Sequence, residues 1–523
     1  MAPIKFVTGG SMEPEKINDA ADLVQRLEET TGLQLTASAP FNRIAEILVD
    51  QGCQSVEVEK SYYCRDFMSQ YAFLYGRVLE EIPRWPTRLH FFRENQSPDH
   101  YLGYSVVGPL TSPEGSATVG RTVIGYEQPG HYVTCREEYT AHIQGVRHGL
   151  VGTPFVQQDG RVMNCAHTSV WVMNRLISKA EPTVKDHYPH EIAEMARQHI
   201  TRGPLLPTTG LWADQILNCV HGVGTEPLYY YYGDDAQRSP ADGIIYRYVE
   251  SGLPVIVGLP GHAVCVVGHT FDPNRPQEDD SIGDYKTPTS WVSHFIVQDE
   301  AAGPFALLPS RESEPNRLVA GPVLNASISE NIRMIIIPLP RNVVLSGEAA
   351  EIRAHHILHF DPRVQKAMRQ ACETEVCQTY GLKSAYERDH PDQRMVLRAY
   401  LTDSNEFKSR MSKLAEDGTS SEALDVLADR YRCLFMSRYV WVVELSTEQL
   451  FACNEEKERR MIGEIVLDAT ASAHSHPEFA VHVPGNLFWN DPRKPLEVRH
   501  EDLPNDRPYP HKIHRPLMQA ANS

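Results

Sequence analysis

Two apolar runs, Val255-Ile256-Val257 and Val264-Cys265-Val266-Val267, are divided by Leu259-Pro260-Gly261-His262. β-Branched residues at this density favour extended backbone, and Pro-Gly between two such runs is the chemistry of a chain reversal. Residues 252–269 are therefore expected to form a buried β-hairpin, which commits the middle of the chain to a sheet. His262 opens the second strand, so its imidazole projects from a rigid element.

A second segment ends in Asn164-Cys165-Ala166-His167. Asn164 suits an N-cap, and Ala166, Val170, Met173 and Ile177 recur at the spacing of a helix buried on one face. Cys165 then falls in the first helical turn, where unpaired backbone N–H groups and the positive end of the macrodipole favour a thiolate over a thiol. Gln157 and Gln158 lie on the incoming loop. The side-chain amide of either could join the Cys165 N–H in holding a developing oxyanion, and the spacing does not choose between them. A third segment, Ser293-His294-Phe295-Ile296-Val297-Gln298-Asp299, reads as a strand ending before a Gly-Pro turn. Asp299 is expected to accept the Nδ1–H of His262 and hold the ring's tautomer and angle.

Taken singly, a cysteine on an apolar helix is a small core residue, a histidine at a strand start a satisfied polar group, and an aspartate at a strand end a turn cap. Together, in this order and on these elements, they are the nucleophile, base and orienter that thiol chemistry requires. His167, two positions into the helix, leaves in another direction. His294 is on the opposite sheet face from Asp299.

From about 151 to 310 the chain resembles the papain-like cysteine peptidases that process bacteriocin leader peptides, together with their bacterial relatives. The likeness rests on a Gln before Asn164-Cys165-Ala166 at a helix start, on Gly261-His262-Ala263-Val264-Cys265-Val266-Val267-Gly268, and on a strand ending in Asp299 ahead of Gly303-Pro304. Ala166 stands where that family usually has glycine. The resemblance implies a papain-like fold with the Cys165 helix packed on an antiparallel sheet. It also implies a peptide or protein substrate, no cofactor and no metal, with Cys165 as nucleophile, His262 as general base and acid, Asp299 as orienter, and Gln158 or Gln157 as oxyanion donor. A transglutaminase, deamidase or amidase would use the same triad. The reading from another class is a catalytically idle papain-like binding or scaffold protein.

The chain has 523 residues, 41% hydrophobic and 23% charged, a globular composition whose length suggests about three domains. Its net charge is −18, and it lacks the basic run or aromatic-basic interleaving of a nucleic-acid surface. No stretch approaches the ~20 apolar residues of a spanning helix, and the first residues lack a secretory core, so a cytoplasmic protein without a membrane partner is expected. Ten scattered cysteines fit reduced thiols. Oligomeric state is not legible.

The expected fold class is α+β throughout. A region of unknown function covers 1–150, the papain-like unit 151–330, and a further α+β region 331–523, beginning with Met334-Ile335-Ile336-Ile337 and ending in an irregular Pro- and His-rich tail from Asn486. His355, His356, His359 and Asp361, and likewise His474, His476 and His482, resemble metal clusters only loosely, and capping or solvated roles suit their irregular spacing better.

Overall fold

The computed structural model describes residues 17–94, 97–111, 115–197, 210–233, 241–275, 285–312, 320–387, 394–416, 422–472, 476–491, 494–504 and 508–510. The fold is mixed α+β, and the described residues form three large, predominantly antiparallel sheets and a two-stranded one of Arg460–Met461 with Tyr509–Pro510. In the first, strands Ser55–Glu59, Thr87–Phe92, Tyr101–Thr111, Ala117–Ile124, Val146–Phe155 and Glu137–Ile143 lie side by side in that order. Helices Ala20–Thr31 and Ala39–Asp50, whose first turns are capped by the Asp19 and Ser38 side chains, share its core.

The central sheet runs Gly303–Pro309, His294–Asp299, His262–Thr270, Val255–Leu259, Met334–Leu339, Glu226–Tyr231. The hairpin closes through Pro260-Gly261, with Leu259 opposite His262 and Gly261 at φ +70°, a backbone region that favours glycine. Both faces of this sheet are covered, which is why its strands carry apolar residues without alternation. Ile256, Ala263, Cys265, Val267, Ile296 and Ile336 face the Cys165–Ala180 helix and the first core. Val255, Val257, Val264, Val266, Phe295, Val297, Ile335 and Ile337 face the Ala241–Glu250 helix and a second core shared with the C-terminal region.

The third sheet orders Tyr285–Lys286, Met395–Asp403, Tyr439–Thr447, Gly463–Asp468, Glu478–Val483, Asn486–Asp491 and Lys494–Asp502. Its contact with the central unit includes charges withdrawn from water. Glu250 accepts from His269 Nε2 at 2.6 Å and from Arg398 Nη2 at 2.6 Å, and Arg398 also pairs with Glu444.

Sheet membership crosses the expected boundaries. Met334–Leu339, expected to open the C-terminal region, lies inside the central sheet, paired with Val255–Leu259 on one side and Glu226–Tyr231 on the other. His131–Val133, from the first 150 residues, also joins that sheet, along Gly268–Thr270. Gly268 permits the approach, since a Cβ there would fall 2.3 Å from the Tyr132 carbonyl oxygen. Val146–Phe155 spans the 150 boundary as part of the first sheet, and Tyr285–Lys286 pairs parallel with Met395–Val396 of the third. The tail differs too: Asn486–Asp491 and Lys494–Asp502 form a β-hairpin rather than irregular chain, because Leu487 and Trp489 enter one core while Phe488 enters the other. Residues 511–523 and His474 lie outside the described residues.

Candidate active site

Asn164 occupies the N-cap position of the Cys165–Ala180 helix, but its side chain makes no capping bond; Asn164 Oδ1 is 2.8 Å from His167 Nδ1. Cys165 is the first helical residue and half-buried. Its carbonyl lies 2.9 Å from the Ser169 hydroxyl, which is also 3.2 Å from the Ala263 carbonyl, so one hydroxyl straddles the helix and the hairpin next to His262. The loop that delivers Cys165 is shaped by Asp159. Its Oδ1 accepts the backbone N–H groups of Arg161, Val162 and Met163 at 2.8, 2.7 and 3.0 Å, while Oδ2 accepts from Gln70 Nε2 at 2.9 Å. Sequence reasoning missed this role, although an Asp-Gly pair before a helix start is a turn signal.

The two glutamines separate. Gln157 is bound into the first sheet, where its backbone N–H donates to the Val119 carbonyl and its Oε1 accepts the Val119 N–H, both at 2.9 Å. It lines a small cavity with Cys64, Gln70 and Trp171. Gln158, half-buried, follows it on the Cys165 loop.

Across from Cys165, His262 Nε2 hydrogen-bonds Asp299 Oδ2 at 2.7 Å. The expectation of an Nδ1 contact is corrected: the aspartate takes Nε2, and Nδ1 turns to the other side of the ring. Asp299 is 2% exposed and is itself held by the N–H groups of Ala301 and Ala302, at 2.9 and 2.7 Å. Cys165 Sγ, a ring nitrogen of His262 and a carboxylate oxygen of Glu300 all lie within 4.8 Å of one another. Glu300 was not anticipated, because strict strand alternation would send it away from the face of Asp299. The pairing of this strand with Gly303–Pro309 shifts between Val297 and Asp299, and Glu300 already belongs to the turn, so both carboxylates reach His262. Glu300 is 4% exposed; its Oε1 is 3.6 Å from His262 Nδ1, and its Oε2 has no hydrogen-bond partner among the described residues.

The electrostatics follow from these contacts. Hydrogen bonding to Asp299, then to Cys165, pushes His262 up to about 10 despite burial, so the imidazolium is its resting form at neutral pH. Burial opposes the charge of Asp299, but the bonds from His262 and from the Ala302 and Ala301 N–H groups outweigh it and hold the carboxyl below its ordinary range. Burial, with help from the neighbouring Asp299 charge, raises Glu300 to about 7. The cationic ring of His262 thus stands beside both the Cys165 sulfur and the Glu300 carboxylate.

The neighbouring histidines are otherwise engaged. His167 is buried against Asn164, and His269 against Glu250 and the Thr270 carbonyl. His294 sits beside the Ser293 hydroxyl at 3.0 Å. In the C-terminal region Asp361 caps the Pro362–Cys372 helix and pairs with Arg363, and His482 contacts Glu464 and Tyr509. Tyr229, Tyr230 and Tyr231 lie on the edge strand of the central sheet, away from the hairpin that carries His262. No family model, curated protein or solved structure matches the chain.

Proposed function

We propose that the protein is a cysteine peptidase of papain-like fold that hydrolyses a peptide or isopeptide bond without a cofactor. The observation that carries this reading is the meeting of Cys165 at a helix start, His262 at a strand start and Asp299 at a strand end, with His262 bonded to Asp299 through Nε2 and its Nδ1 free to serve the sulfur. The Cys165 thiolate attacks the carbonyl carbon, and the oxyanion is received by the Cys165 N–H and the Gln158 amide. His262 Nδ1–H then protonates the leaving amine, which departs and leaves a thioester. Water, deprotonated by Nδ1, hydrolyses that thioester, and Cys165 leaves as the thiolate. Asp299 keeps Nε2 protonated and the ring in its plane throughout.

The test is brief exposure of the full-length protein to limiting iodoacetamide at neutral pH, with peptide mapping, beside hydrolysis of a diverse peptide mixture by the protein and by Cys165→Ala. Cys165 is expected to alkylate ahead of the exposed Cys433 and half-buried Cys453, and cleavage to vanish in the variant. Labelling of Cys433 and Cys453 with Cys165 untouched, or cleavage that survives Cys165→Ala, would refute the proposal.

A further inference from the structure

We infer that Cys165 Sγ, His262 Nδ1 and a Glu300 carboxylate oxygen form a site for a borderline-soft divalent cation, zinc above all, and that the bound ion silences the thiol. The silencing rests on the peptidase reading; the binding does not.

Four observations converge on the ion. The three donor atoms lie within 4.8 Å of one another, a spread that small side-chain rotations of Cys165 and Glu300 close. His262 Nδ1 and Glu300 Oε1 are 3.6 Å apart, which is beyond a good hydrogen bond but close to the roughly 3.3 Å that separates two donors each ~2.0–2.1 Å from a tetrahedral zinc. Glu300 is 4% exposed, and its Oε2 has no hydrogen-bond partner among the described residues, so the buried carboxylate whose Oε1 faces the imidazole keeps unused acceptor capacity. Finally, Asp299 Oδ2 at 2.7 Å from His262 Nε2 supplies the carboxylate that metal-binding histidines habitually carry on the far nitrogen; it keeps the proton on Nε2, so the ion displaces the Nδ1 proton to solvent and takes that nitrogen.

Donor type gives the selectivity. One sulfur, one imidazole nitrogen and one carboxylate oxygen suit zinc and its neighbours, whereas magnesium and calcium ask for oxygen alone. A thiolate and a carboxylate together neutralise a divalent charge. Cys165 is half-buried and the His262 side chain is 28% exposed, so an ion can reach the three donors and its fourth position faces solvent. With its electron pair bound to the metal, the sulfur no longer attacks a carbonyl, and Nδ1 no longer carries protons. The same three side chains would therefore be either a working thiol site or a closed metal site, according to the free zinc level.

The experiment uses the full-length protein and zinc chloride, with calorimetry for binding and iodoacetamide alkylation of Cys165 for access to the sulfur. One zinc per chain is expected, with alkylation slowed at least ~10-fold at saturation, restored by EDTA, and unmoved by magnesium. Glu300→Gln and Cys165→Ser should each weaken zinc at least as much as the ~10–100-fold typical of losing an outer-sphere partner. Cobalt(II) in place of zinc should give a thiolate-to-metal absorption band that Cys165→Ser abolishes; this variant keeps the site's volume and serves if Glu300→Gln unfolds. Zinc affinity indifferent to both substitutions, or alkylation indifferent to zinc, overturns the site. Zinc that accelerates peptide hydrolysis overturns the silencing. A Cys165 that resists iodoacetamide without metal yet binds zinc through these residues would instead sink the peptidase reading and leave the site standing.

Discussion

His262 uses its two ring nitrogens for different ends, and this makes the roles of its neighbours separable. Asp299 touches only Nε2, so it bears on the sulfur through the ring's tautomer and orientation. Cys165→Ala and His262→Ala should reduce kcat to background, whereas Asp299→Asn should leave activity that single-turnover kinetics can measure, because it removes an orienting charge and none of the reacting atoms. Equal and total loss in all three, each shown folded by circular dichroism, would place Asp299 in the chemistry itself. A second residue prediction concerns acid. Burial, with the His131 and Arg275 charges nearby, lowers His294 from 6.5 to about 4, and the residue is 1% exposed. Between those values the unfolded chain takes a proton that the folded chain refuses, so stability is full above 6.5 and falls as pH drops towards 4, by about 3 kcal/mol at most from this group. Urea unfolding at pH 7 and 4.5 should show a smaller acid loss in His294→Asn; an equal loss would assign the acid limb elsewhere.

At the scale of elements, the sequence was most informative where burial is two-sided. The hairpin 252–269 was legible because runs such as Val264-Cys265-Val266-Val267 leave no polar face, and the Cys165 helix because its apolar stripe starts right after the cysteine. Glu300 was not legible, since the register shift that turns it beside Asp299 is a property of the pairing between two strands and not of either one. The Nδ1 assignment failed for a related reason: which nitrogen faces the carboxylate depends on how the hairpin lies against the turn. Asp159 was overlooked because its Asp-Gly signal announces a turn without saying that one carboxylate would gather three backbone N–H groups and the distant Gln70 amide. With three N–H groups on one oxygen, Asp159→Ala should lower the unfolding free energy by about 2–3 kcal/mol. Because the three N–H groups belong to residues 161–163, on the approach to Cys165, the same substitution should slow peptide hydrolysis and Cys165 alkylation together, each by about 10–100-fold. An alkylation rate unchanged in Asp159→Ala would show that the thiol is held without this turn.

For the whole molecule, the expected boundaries at 150 and 330 divide sheets that the chain builds jointly. Sequence patterns announce strands but not their partners, and pairing across long separations leaves no local trace. The isolated segment 151–330 lacks both His131–Val133 and Met334–Leu339, so it exposes the hydrogen-bonding edge of Val255–Leu259 and the apolar face that Ile335 and Ile337 help to cover. It should be recovered as aggregate, or as a species with no cooperative thermal transition. A soluble monomer with a sharp transition would show that the site-bearing unit stands alone. The Glu250–Arg398–Glu444 pairs bind that unit to the third sheet as well, since removing one member leaves buried charge uncompensated.

The insertion of Met334–Leu339 between two strands that precede it also sets a clock. A chain emerging from the ribosome presents Cys165, His262 and Asp299 well before residue 339, yet the sheet that holds the last two in register stays unfinished until that strand arrives. A nascent chain therefore carries Cys165 through much of its synthesis without His262 and Asp299 held beside it, and the site is assembled only when a strand from well downstream closes the sheet.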